Sequence, residues 1–362
     1  MSDTALSFAR GAPSLDIVDV EGLSEAAQRA FAKDPGGMTG YGTAVGYVPL
    51  RRWIAERHGV EETNVLVTNG SMQADAFLFD ELVGSGDEVI VERPSYDRTL
   101  LSLRQHGAAL RAIPLEPDGI DTEALAAALA DGAKPKLAHI IPNFHNPAGY
   151  TLSGRKRERL LELAREHAFT IFEDDPYVAL RFRGETLPTM LSLDSGEGNV
   201  VYASSFSKTV CPGIRVGFLI GPTELISRIV VRATNTYISP SMVDAAIVYE
   251  FCVSGSIDRS IERVRGALEQ RVDALAQALS QQIPGASFVV PDGGYFLWVK
   301  LPDGLEPAAV LKAAAERKLA LVSGDDFVLD GGSGAVRLAY SGVTPDEIRE
   351  GVTRLAAALE AA

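Results

Sequence analysis

Between Val65 and Gly221 apolar runs alternate with helical patterns, and that alternation sets the expected architecture. Seven runs read as strands: Val65–Thr68, Glu88–Glu92, Ala109–Leu115, Leu137–Pro142, Thr170–Glu173, Val200–Ser204 and Arg215–Gly221. Helical spacing separates most of them, over Met72–Val83, Tyr96–His106, Thr122–Ala130 and Gly154–Glu166. Strands and helices in this order predict an α/β fold with a mostly parallel, doubly wound sheet. The last connection, Ser205 to Ile214, breaks the rule. A parallel crossover needs about a dozen residues or more, so the last two strands are expected to run antiparallel.

The flanks read differently. Residues 1–40 are irregular apart from one helix, Leu23–Lys33, stopped by Asp34-Pro35-Gly36-Gly37. A glycine-punctuated loop, Tyr41 to Tyr47, then leads into a helix over Val48–His58, with Pro49 in its first turn, where proline is tolerated. After Pro240 the pattern becomes one long helical run, Met242 to Gln282. Strands follow at Ser287–Val290, Tyr295–Leu301 and Val336–Tyr340, with helices at Pro307–Arg317 and Pro345–Ala361. Single cores stop growing near ~250–300 residues, so a chain of 362 is expected to divide. The expected division is a large domain over 41–240 and a smaller α/β domain over 241–362, with residues 1–40 packing on the small domain and the active site.

Composition narrows the partners. The net charge of −14 argues against nucleic acid or an anionic membrane surface, because both reward clustered Lys and Arg. It leaves room for a local basic pocket. Cys211 and Cys252 make no disulfide framework, and the five scattered histidines have no metal-site spacing. No secretory signal pattern opens the chain, and no apolar run reaches the ~18 residues that span a bilayer. A cytoplasmic protein is expected.

The candidate chemistry lies at strand ends, where open α/β sheets bind ligands. After the first strand, Asn69-Gly70-Ser71-Met72-Gln73 opens a helix whose free N–H groups suit a phosphate, although serine is also an ordinary N-cap. After the fourth comes Asn143-Phe144-His145-Asn146-Pro147-Ala148-Gly149, and after the fifth Glu173-Asp174-Asp175-Pro176-Tyr177. Adjacent acids at a buried strand end are costly unless something cationic meets them. After the sixth, Ser204-Ser205-Phe206-Ser207-Lys208 leads through Pro212-Gly213 to Arg215. A lysine in such a loop is by default a solvated charge. The four ends together offer an anion cradle, an amide, a carboxylate with a phenol, and a lysine with hydroxyls and an arginine. A pyridoxal phosphate site needs that set: a lysine for the Schiff base, a carboxylate for the pyridine nitrogen, cationic and hydroxyl groups for the phosphate. No P-loop or G-x-G-x-x-G is present, which argues against a nucleotide.

These motifs also carry a family resemblance. Ser205-Phe206-Ser207-Lys208 followed by Arg215-Val216-Gly217, the asparagine motif at 143–149 and Asp174-Asp175-Pro176-Tyr177 resemble the signatures of fold-type I pyridoxal-phosphate enzymes, the class I/II aminotransferases. The branch it is most similar to holds α-aminoadipate aminotransferases and aminotransferase-like transcription regulators. The resemblance implies that Lys208 forms the internal aldimine and later shuttles a proton, and that Asp174 holds the pyridinium. It implies that Asn146 and Tyr177 contact O3′, that Tyr96 stacks on the ring, and that Ser71, Met72, Ser205, Ser207 and Arg215 bind the phosphate. Tyr41 would reach the phosphate of a neighbouring subunit, implying a homodimer with shared active sites. Arg337 would clamp the substrate α-carboxylate, with Gly11 and Asn146 lining the same pocket. For Arg337 a surface charge on a strand, and for Tyr340 and Gly293–Trp298 a core and turn role, remain the plain alternatives.

Three departures stand out. His145 stands where members of the family it resembles usually have glutamine, and Cys211 where a small non-thiol residue is commoner. The Thr234–Met242 stretch, expected as a loop, has no arginine to meet a side-chain carboxylate, which weakens an aspartate-specific reading. The function implied is transfer of an amino group from an α-amino acid to a 2-oxo acid by a ping-pong mechanism. The alternative is a lyase, decarboxylase or cyclising synthase built on the same cofactor. A regulator's effector domain is disfavoured, since only about forty residues precede Tyr41 and the charge is acidic.

Overall fold

The computed structural model describes residues 4–362. In chain order, Leu6–Ser7 (β1) precedes α1 (Val20–Lys33), α2 (Pro35–Thr39) and α3 (Val48–His58). The alternating region follows: β2 (Val65–Thr68), α4 (Ser71–Leu82), β3 (Glu88–Arg93), α5 (Asp97–Gln105), β4 (Ala109–Glu116), β5 (Gly119–Ile120) and α6 (Thr122–Ala130). It continues with β6 (Pro135–Ile140), α7 (Gly154–His167), β7 (Thr170–Asp174), α8 (Met190–Leu193), β8 (Val200–Ser205), β9 (Gly217–Ile220) and α9 (Thr223–Tyr237). Then come α10 (Met242–Val253), α11 (Ser256–Gln282), β10 (Phe296–Lys300), α12 (Pro307–Glu316), β11 (Leu319–Ala320), β12 (Val322–Ser323), β13 (Ala335–Ala339) and α13 (Pro345–Leu359).

All seven expected strands join one sheet, in the order β2-β9-β8-β7-β6-β3-β4-β5. The eighth strand, β5, is a two-residue hairpin partner of β4. Neighbours from β8 through β4 pair in parallel, while β9 runs antiparallel to both β8 and β2. The short connection therefore does reverse the chain. Strands buried on both faces explain the unbroken apolar runs: every residue of β2, β8 and β9 is buried. β9 fits between β8 and β2 because Gly217 has no side chain: a Cβ there would collide with the backbone of Gly70 and Ser71.

Helices flank the sheet in two apolar layers, and a third core belongs to the C-terminal elements, where β10, β12 and β13 pair antiparallel. Ala245, Ala246, Val248 and Phe251 of α10 pack with Leu50, Ile54, Val65 and Phe218, in the core of the large sheet. The change of core falls inside α11, between Ile261 and Val264, later in the chain than residue 241. Only the first part of the N-terminal segment packs on the C-terminal core, where Leu6 pairs with Leu319 in a short parallel ladder and Phe8 is fully buried; Ala26, Ala30 and Met38 of α1 and α2 instead join α10 in the core of the large sheet.

Several local expectations need correction. The 242–282 run is two helices, because Gly255 takes a left-handed φ of 75° and starts α11 afresh. Ser287–Val290 forms no strand; only Ser287 bridges to Lys300. Asp34-Pro35-Gly36-Gly37 ends α1 but also opens α2, since the Asp34 carboxylate accepts from Gly37 N–H and Pro35 suits a first turn. Thr234 to Tyr237 is helical, the end of α9. That helix is announced by Leu225, Ile226, Ile229 and Ala233, buried at helical spacing. No helix among the described residues is long and apolar enough to cross a membrane.

Candidate active site

The carboxyl ends of β2, β6, β7 and β8 meet around a cavity of about 120 Å³. Ser71, Met72, Tyr96, Asn146, Asp174, Tyr177, Ser205, Ser207, Lys208 and Arg215 all line it. Residues drawn from six separate stretches thus line one cavity. Gly70, at φ 87°, turns the chain from β2 into α4, and no side chain caps that helix. Its first two residues, Ser71 and Met72, line the cavity, where an anion would satisfy their N–H groups.

The anion cradle is completed from β8 and the turn after it. Ser205 and Ser207 share a hydroxyl hydrogen bond of 2.9 Å, and Ser207 N–H donates to Ser205 Oγ at 3.1 Å. Arg215 reaches back, donating from Nη1 to Ser207 Oγ (3.1 Å) and from Nη2 to the Asn69 carbonyl (3.4 Å). Arg215 itself sits in the left-handed region at φ 49°, and its guanidinium packs directly against Gly70.

The three acids at the end of β7 part company. Glu173 accepts the N–H groups of Met190 and Leu191, both at 2.9 Å, and so caps α8. Asp175 accepts from Asn143 Nδ2 at 2.9 Å, and burial, then the Glu173 charge, pushes its carboxyl up to about 8. The cation awaiting this pair is Arg157, buried and bonded to Asn143 Oδ1. Asp174 alone lines the cavity: one oxygen lies 3.4 Å from His139 Nε2, and the other, Oδ1, is buried with no partner. His139 Nε2 is also 3.4 Å from Thr99 Oγ1. The other ring nitrogen of this histidine has no partner either.

Lys208 lies across the cavity. Its amine donates to the Gly11 carbonyl at 2.9 Å and stands 5.7 Å and 5.3 Å from the ring centres of Tyr177 and Tyr295. Loss of water, then the charges of Arg215 and Arg337, lower its pKa to about 8, with Asp174 pulling the other way. Burial likewise holds the Tyr177 hydroxyl well above its ordinary range and lifts Tyr96 to about 12.

Arg337, on β13, is no surface charge. It is 7% exposed, and its guanidinium donates to Asn146 Oδ1 at 2.9 Å and to the Ala9 carbonyl at 2.7 Å. The rings of Phe296 and Phe327 flank it at 4.4 and 4.8 Å. Gly11 is pressed against the Phe296 ring, which leaves no room for a Cβ. Arg337 and Gly11 therefore stand one contact beyond the cavity wall, through Asn146 and Lys208. Tyr41 does not join them within one chain; it is 94% exposed.

His145 and Cys211 do not line the cavity. His145 Nε2 lies 3.0 Å from Glu92 Oε2 in a buried pair, and Cys211 is a half-buried free thiol. Tyr340 donates to the Gly293 carbonyl at 3.1 Å inside the C-terminal core, and Gly293 and Gly294 pack on Phe144. These are core and turn roles. Sequence reasoning passed over His139 and Asp75. Each carried a signal: His139 is a polar residue inside a buried strand, and Asp75 lies one helical turn beyond Ser71 on the same face of α4.

Residues 4–355 match the family described as Aminotransferase class I and II. The chain belongs to that family. Among its relatives, the 2-aminoadipate transaminase of Thermus thermophilus is 33% identical, covering 98% of this chain and 90% of the relative. The aromatic-amino-acid aminotransferase 1 of Thermococcus litoralis is 31% identical, over 97% and 87%. In structure, the α-aminoadipate aminotransferase of Thermus thermophilus, solved with N-(5'-phosphopyridoxyl)-L-leucine, superposes with a TM-score of 0.94 at 32% identity, over 98% and 92%. This aminotransferase is a pyridoxal-phosphate-dependent transaminase of the branch that includes α-aminoadipate and kynurenine aminotransferases.

Proposed function

We propose that this transaminase moves an amino group from an α-amino acid to a 2-oxo acid in two half-reactions, with Lys208 as the covalent anchor and proton carrier. The observation that carries the reading is the Lys208 amine, largely stripped of water and brought to about 8, in one cavity with an Asp174 oxygen that has no partner. A neutral amine is the nucleophile that condenses with a carbonyl, and a lowered pKa makes it abundant near neutrality. Pyridoxal phosphate fits the residues present, and when bound it supplies that carbonyl and a ring that accepts electrons.

Each side chain then has a task it can perform. The first turn of α4, Ser205, Ser207 and Arg215 would hold the phosphate. The free Asp174 oxygen would take the protonated ring nitrogen, a charge-assisted bond that its burial strengthens. Asn146 and Tyr177 would hold O3′, and Tyr96 would lie on the ring. Lys208, released from its anchor, would carry the proton at the substrate Cα. Arg337, steadied by Asn146 and Ala9, would pair with the substrate α-carboxylate. Arg337→Lys keeps the charge but loses the planar fork, so kcat/KM for the amino donor should fall about 10- to 100-fold, measured by steady-state kinetics.

The test of the reaction is a half-reaction screen. The loaded enzyme, mixed with 2-aminoadipate, aromatic amino acids, kynurenine, alanine or leucine, should accumulate pyridoxamine phosphate and release the matching 2-oxo acid. Products formed without a second substrate, such as ammonia, pyruvate or carbon dioxide, would sink the transaminase reading.

We further propose a homodimer with shared sites. Tyr41 is 94% exposed, and Met72 and Ile238 are half-exposed apolar groups, all side chains that a partner would bury. Lys208→Ala and Tyr41→Ala place their lesions in different subunits' contributions. Refolded as an equal mixture, the two should regain about a quarter of wild-type turnover, because half the dimers carry one intact site. Strict additivity of the two residual activities would exclude sharing. Both cysteines are free, which suits a reducing compartment such as the cytoplasm.

A further inference from the structure

One carboxyl in the cavity has no task in the scheme above. Asp75 sits on α4 one turn beyond Ser71, so the face that offers N–H groups to an anion presents an acid just behind them. Asp75 is 7% exposed, it lines the cavity together with Asp174, and its Oδ1 has no hydrogen-bond partner. Asp174 is 5% exposed and has the same defect at its own Oδ1. A chain that buries two carboxyl oxygens in one cavity and satisfies neither has left room for a donor from outside.

The surrounding charges say what kind of donor. Lys208 and Arg215 face the cavity from the β8 side and Arg337 from beyond Asn146, where anionic groups are to be held. Around Asp75 the groups are Ser71 and Met72 on its own helix, Tyr96 ahead of α5, and Asp174 of β7 with His139 of β6 behind it. Tyr96 registers both acids, since Asp174 and Asp75 add to the burial that raises its hydroxyl. Burial first, and then the Asp174 charge, hold the Asp75 carboxyl well above its usual range, while a backbone N–H pulls the other way. The cavity is thus polarised: cationic where a phosphate and a carboxylate belong, acidic at the other pole. A ligand with an anion at one end and a protonated ring nitrogen at the other matches that layout.

We propose that Asp75 is a further cofactor-binding residue, sharing the ring-nitrogen end of the cavity with Asp174 so that two carboxyls hold the one pyridinium. The inference rests on the placing of that nitrogen at Asp174. A pyridinium brings the donor and the positive charge that both orphan oxygens lack. Asp75 touches no substrate in this scheme, and its contribution is to cofactor affinity and to the protonation of the ring.

The experiment is a double cycle on binding, read by fluorescence titration of the cofactor-free protein. The ligands are pyridoxal phosphate and its carbocyclic analogue, with C–H in place of the ring nitrogen. The proteins are wild type, Asp75→Leu and Asp75→Asn. Asp75→Leu should weaken pyridoxal phosphate about tenfold more than it weakens the analogue. Asp75→Asn, which keeps the shape but not the charge, should fall between, and it carries the test alone should the leucine variant fail to fold. If wild type prefers pyridoxal phosphate and both variants keep that preference in full, this inference is overturned and the Asp174 assignment stands. If wild type binds the two ligands equally, the placing of the ring nitrogen at Asp174 falls, and this inference with it.

Discussion

Lys208→Ala should yield a folded protein that binds pyridoxal phosphate reversibly and never becomes covalently attached to it. Turnover should drop by about 10⁴-fold or more, because one substitution removes both the nucleophile and the proton carrier. Mass spectrometry after borohydride reduction is the direct check: wild type should carry the cofactor on Lys208, the variant nowhere. A reducible adduct on another lysine of the variant would overturn the assignment. The same amine sets a pH dependence. Its folded pKa of about 8 lies below the ordinary lysine value, so the neutral, reactive form fills in as pH rises through 8. Covalent loading of the cofactor-free protein should therefore accelerate from about pH 7 to about pH 9 and then level. The linkage has the matching sign. Below its unfolded pKa the free chain takes up the proton more readily than the folded one, so Lys208 withdraws stability as pH falls towards about 8. The cofactor-free alanine variant should accordingly melt no lower than wild type at neutral pH. A clearly lower melting temperature would mean that the contact with the Gly11 carbonyl outweighs the cost of burying the amine.

Asp174→Ala should be the second most damaging change, and it separates stability from function. The buried carboxylate has one oxygen without a partner and the other at 3.4 Å from His139, so little holds it in the cofactor-free state. Removing it should leave the melting temperature of the cofactor-free protein unchanged or raised. The loaded protein should lose its ligand-induced gain in melting temperature, and turnover should fall about 10²–10³-fold, the usual cost of deleting one preorganised electrostatic contact. Turnover within a few-fold of wild type would remove Asp174 from the machinery.

Much of this arrangement can be read before folding, and particular residues show why. The central strands β2, β6, β7 and β8 are buried almost throughout, so each announces itself as an apolar run, and the stretch that follows each lies at the ligand-binding edge. That is how Ser71, Asn146, Asp174 and Lys208 come to be grouped from scattered positions. The antiparallel β9 follows from the length of one connection, Ser205 to Ile214. Helices are less legible where their composition resembles strands: Ile229-Val230-Val231 in α9 is β-branched, and only the spacing of its buried residues betrays the helix. The change of core inside α11 has no compositional mark, because a helix that bridges two cores is amphipathic along its whole length. Asp75 escaped because a single acid within a helix is ordinarily solvated, and its burial depends on where β7 delivers Asp174. Tyr41 could be placed by neither route, since no contact within a single chain covers it.

The N-terminal segment is clasped to the C-terminal end of the chain. Leu6 pairs with Leu319, Phe8 O accepts from Ala339 N–H, Ala9 O from Arg337 and Ala12 O from Ser341. Every one of these partners lies between residues 319 and 341, so the Gly11 carbonyl that takes the Lys208 amine is held in place by the far end of the chain. One lysine contact thereby ties the large sheet to both termini at once.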